Sequence, residues 1–419
     1  MTDIRELVKG IHDCPCGRDH SCPTETVEIG SGVLKKLPTL CDGYKKILLV
    51  ADQNTYRVCG REAAMLLTGK LEGEVVFRSG GQLLIPDEAA LEKLDGAVSR
   101  ETDLIVGVGS GVINDLCKQI ANQRGIPYFI VATAPSMDGY ASSGAALILK
   151  GMKVTLQAKP PKAILADTRV LATAPLNMIR AGIGDILGKY SCLNDWKLSA
   201  LLRDEYYCQR VYDLVYEAVV AVEDSVDEIL KGEEKALGRL MEALVAVGIE
   251  ISFVGSSRPA SGSEHHLSHY FEITGILDGK PYLPHGIDVI CSAVVTAGIR
   301  EQLLNQEPRH KEWDRAAWET DIRRIYSASA TEVIKLQDRL GWYEENDFQN
   351  VCGKWKDVCA ILAEAPGKAY MLDLVKRIGL DYEAFESLYG AEKLEDAIRY
   401  AKDLKDRYSV LWLKDLYFE

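Results

Sequence analysis

Between residues 46 and 131, short apolar runs alternate with amphipathic stretches at a spacing that few architectures accept. Segments 46–52, 74–77, 104–108 and 128–131 each read as a buried strand. The stretch 86–99, with Pro86 near its first turn, and the stretch from the Gly/Ser turn after Val108 through Arg124 read as helices. Strands separated by helices in this way predict a parallel sheet covered on both faces, because each crossover must pass over the sheet. Segments 145–149 and 153–157, joined around Gly151, read as a hairpin added after that sheet. Beyond about Thr173 the β-branched runs all but vanish. Pro175 opens a helical pattern, and amphipathic stretches follow at 205–225, 233–254, 287–304, 313–340 and 347–364. The expected organisation is an α/β domain over residues 1–173 and an all-α domain over 174–419.

The chain has 419 residues, enough for two cores. Its net charge of −13 argues against a nucleic-acid-binding surface. No apolar run reaches the roughly 18 residues a membrane span needs, and the first residues lack the basic-then-apolar order of a signal peptide. Eleven cysteines, scattered and odd in number, fit reduced thiols in the cytoplasm better than a disulfide framework. One group stands apart. His12, Cys14, Cys16, His20 and Cys22 crowd into one short stretch, a composition that binds zinc elsewhere. The downstream C-x2-C half of a zinc ribbon is absent, so reduced surface thiols are the expected reading.

Three further features carry chemistry. The glycine-rich turn Gly107-Val108-Gly109-Ser110-Gly111 follows a strand and opens a helix, where backbone amides and the helix N-terminus suit phosphate oxygens. The spacing is not G-x-G-x-x-G, and a tight turn needs glycine for its φ angles alone. Asp52, at the carboxyl end of an earlier strand, is placed either to bind an adenosine ribose, which favours NAD over NADP, or to cap a helix. A second loop, from Thr133 through Pro135, Ser136, Asp138 and Ser142 to Gly144, leaves the next strand at a ligand-binding position, with Asp138 facing substrate hydroxyls.

Four of the seven histidines lie between residues 265 and 285. On a helix, His265 and His269 share one face, and His285 opens the next segment. Asp185, amid the glycines of Gly182-Ile183-Gly184-Asp185, completes an O,N,N set for a catalytic ion with open positions. Plain alternatives are a capping acid for Asp185 and a solvated helix face for His265. Such an ion would polarise a ketone, with hydride passing from a nicotinamide and His269 relaying the proton. Arg258 and Lys189 are candidate cations for a substrate phosphate, or else salt-bridge partners.

In this order the motifs GSGVIND, TAPSMDGYAS, GIGD, SRPASGSEHHLSH and PHGIDV resemble the sn-glycerol-1-phosphate dehydrogenases, especially their bacterial branch. That family lies within the group of metal-dependent glycerol dehydrogenases, iron-type alcohol dehydrogenases and dehydroquinate synthase. The resemblance runs from about residue 25 to 310. It implies a Rossmann-like N-terminal domain and an all-α C-terminal domain of the dehydroquinate-synthase-like type. It further implies reversible reduction of dihydroxyacetone phosphate with NAD(H) or NADP(H). By motif, Asp185, His265 and His285 would hold nickel, zinc or iron(II). Gly111, Val112, Ile113, Asn114 and Asp115 would embrace the dinucleotide diphosphate, with Thr133, Ser136 and Ser142 nearby. Asp138, Asp185 and His269 would contact substrate, and a homodimer is expected. Rival readings are a glycerol dehydrogenase acting on free polyols and a dehydroquinate-synthase-like lyase, which consumes no net NADH.

Overall fold

The computed structural model describes residues 2–78, 80, 84–149, 152–345 and 347–418. It divides into two compact units, Met1–Ile186 with Asp213–Ser257, and Leu187–Tyr212 with Arg258–Glu419. This division by packing differs from the sequence division after residue 173. Helices that follow the sheet in sequence pack back onto it.

The first unit is built on a sheet of six strands: β1 (Thr26–Gly30), β2 (Ile47–Asp52), β3 (Leu71–Phe77), β4 (Leu104–Gly109), β5 (Tyr128–Ala132) and, after the hairpin, β8 (Ala163–Asp167). Their order is β1-β8-β5-β4-β2-β3, every neighbouring pair parallel. Both faces are covered, which is why β4 and β5 read as unbroken apolar runs: every residue in each is buried. Strand order reverses between β2 and β4, and open α/β sheets bind ligands beyond the carboxyl ends at such a point. The hairpin is present as β6 (Gly144–Leu149) and β7 (Met152–Gln157); its expected turn at Gly151 lies outside the described residues.

Two further strands complete the sheet. β1 carries Glu28 and a terminal glycine and so shows no apolar run, whereas β8 is a short buried run, Ala163-Ile164-Leu165-Ala166, that ends in Asp167. Their pairing rests on a tertiary contact instead. The buried carboxylate of Asp167, at the end of β8, accepts the amides of Gly32 and Leu34 in the turn after β1.

Helix α1 (Gly111–Arg124) lies close on β4 because β4 has no side chain where they meet. A Cβ on Gly109 would sit 2.6 Å from Cβ of Ile113, and one on Gly107 would sit 2.9 Å from Sγ of Cys117. Helix α2 (Leu176–Leu187) and, in the second unit, α3 (Lys189–Arg203) follow. The chain returns to the first unit at Asp213 and there forms α4 (Glu234–Val254), which packs on β1 and on the short helix after β8.

The second unit is helical among the described residues, centred on α5 (Ser263–Asp278) against α6 (His285–Leu303). Several long amphipathic stretches are broken where the backbone turns. The segment expected at 313–340 forms Arg315–Tyr326 and Ala330–Leu340, separated at Ser327 with φ 44°. The segment expected at 347–364 forms Phe348–Gly353 and Trp355–Leu362. The helix expected from 205 starts only at Gln209, because Asp204 adopts φ 50° and ends α3.

Replacing Gly109 by Ala forces α1 off β4. We expect a loss of about 1–3 kcal/mol, the usual penalty of overpacking, read as a lower denaturation midpoint; an unchanged midpoint would remove this contact from the account.

Candidate metal centre and nucleotide loop

In the first unit, Ser110 stands at the N-cap of α1 without a side-chain capping bond, and Gly111 and Val112 behind it are half-buried. The first amides of a helix have no partner within it, so this turn offers N–H donors and partial positive charge. The side chains that follow have other work. Ile113 is buried beneath Gly109. Asn114 donates from Nδ2 to the carbonyl of Gly139 at 3.2 Å and accepts from the Tyr128 hydroxyl at 3.2 Å.

Lys118, which the sequence reading passed over, is the main tether of the second loop. Its fully buried ammonium donates to the carbonyls of Gly139 (3.0 Å) and Gly144 (2.8 Å) and to Oγ of Ser142 (3.3 Å), with Asp115 3.8 Å away. Burial pulls its pKa down, while Asp115 and Asp138 act to raise it. Ser142 in turn donates to the Gly139 carbonyl at 3.0 Å. Asn114 and Ser142 therefore hold the loop with their side chains. Thr133 is buried and donates its amide to Gly109 at 3.1 Å, whereas Ser136 is half-buried. Asp52 caps the helical turn after β2, its Oδ1 accepting the amides of Asn54 and Thr55.

Asp138 and Asp185 are brought together through the backbone. The Asp138 amide donates to Oδ2 of the fully buried Asp185 at 3.0 Å. The approach depends on Gly182, one turn before Asp185: a Cβ there would lie 1.9 Å from the carbonyl oxygen of Pro135. Gly248 on α4 makes the same allowance from another side, 2.8 Å from the Asp138 carbonyl. The GIGD motif is thus explained locally, because glycine admits the loop and aspartate captures it.

In the second unit, three of the four clustered histidines converge. Ring centroids are 5.1 Å apart for His265–His285, 5.5 Å for His269–His285 and 6.0 Å for His265–His269. Nδ1 of His265 donates to Oε1 of the buried Glu264 at 2.6 Å, which leaves Nε2 as the lone-pair nitrogen. A carboxylate behind a histidine is the arrangement that orients metal-binding imidazoles and strengthens them as donors. Glu264 is itself positioned by the Gly262 amide at 2.8 Å, and burial raises its pKa. His266, one residue on, is fully buried and held neutral by desolvation.

The start of α5 is fixed from outside the helix. Gly262 has no side chain to cap it, and Oδ2 of Asp195 on α3 accepts the Ser263 amide at 2.7 Å. Oδ1 of the same carboxylate receives Nη2 of Arg300 from α6 at 3.0 Å and the Val410 amide at 2.9 Å. Arg300 also donates to Oδ1 of Asn194 and to the Ser191 carbonyl, both at 3.0 Å. Local sequence patterns give no hint of such partners.

Of the two readings of Arg258, the structure shows the salt bridge. Its guanidinium is buried and donates through Nε to both carboxylate oxygens of Glu205, at 2.7 and 2.8 Å, and through Nη2 to Oγ of Ser199 and the Tyr408 carbonyl. It is a salt-bridge residue within the second unit. Lys189, at the first position of α3, is fully buried.

A parallel sheet with a phosphate-suited turn and a helical unit bearing converging imidazoles define a class, and comparison with known proteins agrees. Residues 28–175 match the family model described as iron-containing alcohol dehydrogenase. The iron-containing alcohol dehydrogenase of Thermococcus thioreducens has a similar fold at 14% identity, with a TM-score of 0.62 over 95% of this chain and 99% of that one. Closer in sequence is the glycerol-1-phosphate dehydrogenase (NAD(P)+) of Bacillus licheniformis, 33% identical over 100% of this chain and 96% of its own. That of Halalkalibacterium halodurans is 37% identical over 86% of this chain and 96% of its own. The chain belongs to the glycerol-1-phosphate dehydrogenase family of oxidoreductases.

Removing Arg300 leaves the buried Asp195 carboxylate with backbone amides but without that cation. Arg300→Met should cost about 3–5 kcal/mol, as for other broken buried pairs, and Asp195→Asn in that background should restore part of it. A double variant no more stable than the single one would show that the pair does not set the start of α5.

Proposed function

We propose that the chain reversibly reduces dihydroxyacetone phosphate to sn-glycerol 1-phosphate with NADH or NADPH, using one divalent ion held by Asp185, His265 and His285. The observation that carries this reading is the convergence of His265 and His285, 5.1 Å between ring centroids, with Glu264 fixing the His265 tautomer. One carboxylate and two imidazoles fit nickel, zinc or iron(II) and leave coordination positions open. When bound, such an ion supplies Lewis acidity toward the C2 oxygen of the substrate.

The chain's own residues do the rest. The amides of Gly111, Val112, Ile113, Asn114 and Asp115, at the start of α1, take the cofactor diphosphate, with Thr133, Ser136 and Ser142 beside it. Asp52 serves the ribose with the carboxylate that caps the next turn. Asp138 accepts hydrogen bonds from substrate hydroxyls. His269 exchanges the proton at the C2 oxygen, supported by its position one helical turn from His265. Lys189, the other candidate, is assigned to the substrate phosphate on its position one helical turn after Asp185 in sequence.

No helix among the described residues is long and apolar enough to cross a membrane. We place the enzyme in the cytoplasm as a homodimer, a reading that rests on the family.

The deciding measurement is NADH oxidation with dihydroxyacetone phosphate after chelation and re-addition of single metals, with chiral analysis of the product. Activity should vanish on chelation, return with nickel or zinc, and yield the sn-1 enantiomer; Asp185→Asn should abolish it. Equal efficiency on unphosphorylated dihydroxyacetone, or turnover without net NADH loss, would sink the assignment. Glu264→Gln should weaken metal affinity about 10–100-fold, the usual effect of removing such a partner. For Lys189→Met, KM should rise for the phosphorylated substrate and not for the free triose.

A further inference from the structure

The cysteine-rich start is not a surface thiol patch. Cys14 is 5% exposed and His20 is fully buried, while Cys16 is half-buried. Their donor atoms, two sulfurs and one ring nitrogen, all lie within 4.8 Å of one another. We propose that Cys14, Cys16 and His20 form a structural metal centre for a soft divalent cation, zinc first, distinct from and independent of the catalytic reading above.

The geometry is that of a coordination sphere. Nδ1 of His20 lies 3.1 Å from the carbonyl oxygen of Phe253 on α4. A carbonyl only accepts, so Nδ1 carries the proton and the Nε2 lone pair points the other way, 3.4 Å from Sγ of Cys16. Bonds of about 2.3 Å to sulfur and about 2.0 Å to nitrogen, at a tetrahedral angle, separate the two donors by roughly 3.5 Å. A backbone carbonyl behind the histidine is a common way of fixing a ligand tautomer.

The loop is shaped to present these atoms. Between Cys14 and Cys16 the chain reverses, with Gly17 at φ 80° donating its amide to the Cys14 carbonyl at 2.9 Å. Ile11 and His20 form an isolated bridge, and a Cβ on Gly10 would lie 2.3 Å from the His20 carbonyl oxygen. Apart from Cys14, His20 and Thr24, residues 10–25 are exposed or half-buried, so the segment has almost no apolar core of its own. Small loops of this kind take much of their folding free energy from a bound ion.

Binding releases the two thiol protons and leaves His20 neutral, its remaining proton on Nδ1. Closed zinc sites take four protein donors. Among the other thiols, Cys41, Cys59, Cys117 and Cys291 are buried in apolar surroundings, and Cys192 points at the carbonyls of Lys189 and Pro259. Cys22, from the same loop, is the thiol from which to seek the fourth donor.

The test uses the full-length protein purified without chelator, with metal measured by mass spectrometry, and the same protein reconstituted with cobalt(II). Wild type should show thiolate-to-cobalt charge-transfer absorption, which an O,N,N site cannot produce. Cys16→Ser and the Cys14→Ser/Cys16→Ser double variant should lose that absorption and about one metal equivalent per chain. Cys22→Ser tests the fourth donor as a weakened charge-transfer band. Cys16→Ser, at a half-buried position, keeps the test usable if the double variant misfolds. Absence of the band in wild type, with equal metal content in wild type and Cys16→Ser, overturns the proposal whatever the activity assay shows.

Discussion

The position of the imidazoles depends on where α5 begins, and one buried carboxylate decides that. Asp195 accepts the Ser263 amide on one oxygen and the Arg300 guanidinium on the other, so the first turn of α5 and the body of α6 are referred to the same point. His265 is two residues beyond Ser263, and His285 is the first residue of α6. A helix capped by its own serine or aspartate would be free to fray. One capped by a carboxylate on another helix has to keep its register. Tyr389 adds a second restraint, stacking on Phe271 at 4.0 Å while donating its hydroxyl to Asp288, three residues past His285.

The first unit solves the same problem with glycines and a buried lysine. Gly107 and Gly109 bring α1 down onto β4, Gly182 and Gly248 admit the loop 133–144, and Lys118 fastens that loop from below. An unpaired buried ammonium would be costly. Here two carbonyls and a hydroxyl accept from it, and Asp115 stands nearby. The result is a loop with little freedom, at the place where the sheet's topology puts ligands.

Much of this was legible in the sequence because it is local. Period and turn chemistry marked β2, β3, β4, β5 and the hairpin, and the motifs identified the family. The missed elements depend on distant partners: β1 and β8 are specified by Asp167 reaching the turn at Gly32, and α3 stops where Asp204 enters the left-handed region. The choice between the two readings of Arg258 was closed to the sequence for the same reason. Nothing near it in sequence announces Glu205, fifty-three positions earlier. Lys118 looks like an ordinary helix-surface lysine until β6 and the loop before it cover the helix. In the cysteine-rich stretch the burial of Cys14 and His20, and the Phe253 carbonyl behind His20, are properties of the folded chain that no local pattern announces.

The first unit is not continuous in sequence, and this bears on how it is made. Strand β1 is translated early but has no neighbour until β8 emerges, well over a hundred residues later. The α4 helix that packs on β1 and on the short helix after β8 arrives later still, after an excursion through the second unit. Parallel pairings of such long range form slowly, because the intervening chain must be ordered first. A nascent chain halted before residue 254 therefore presents an uncovered apolar edge to the ribosome's surroundings.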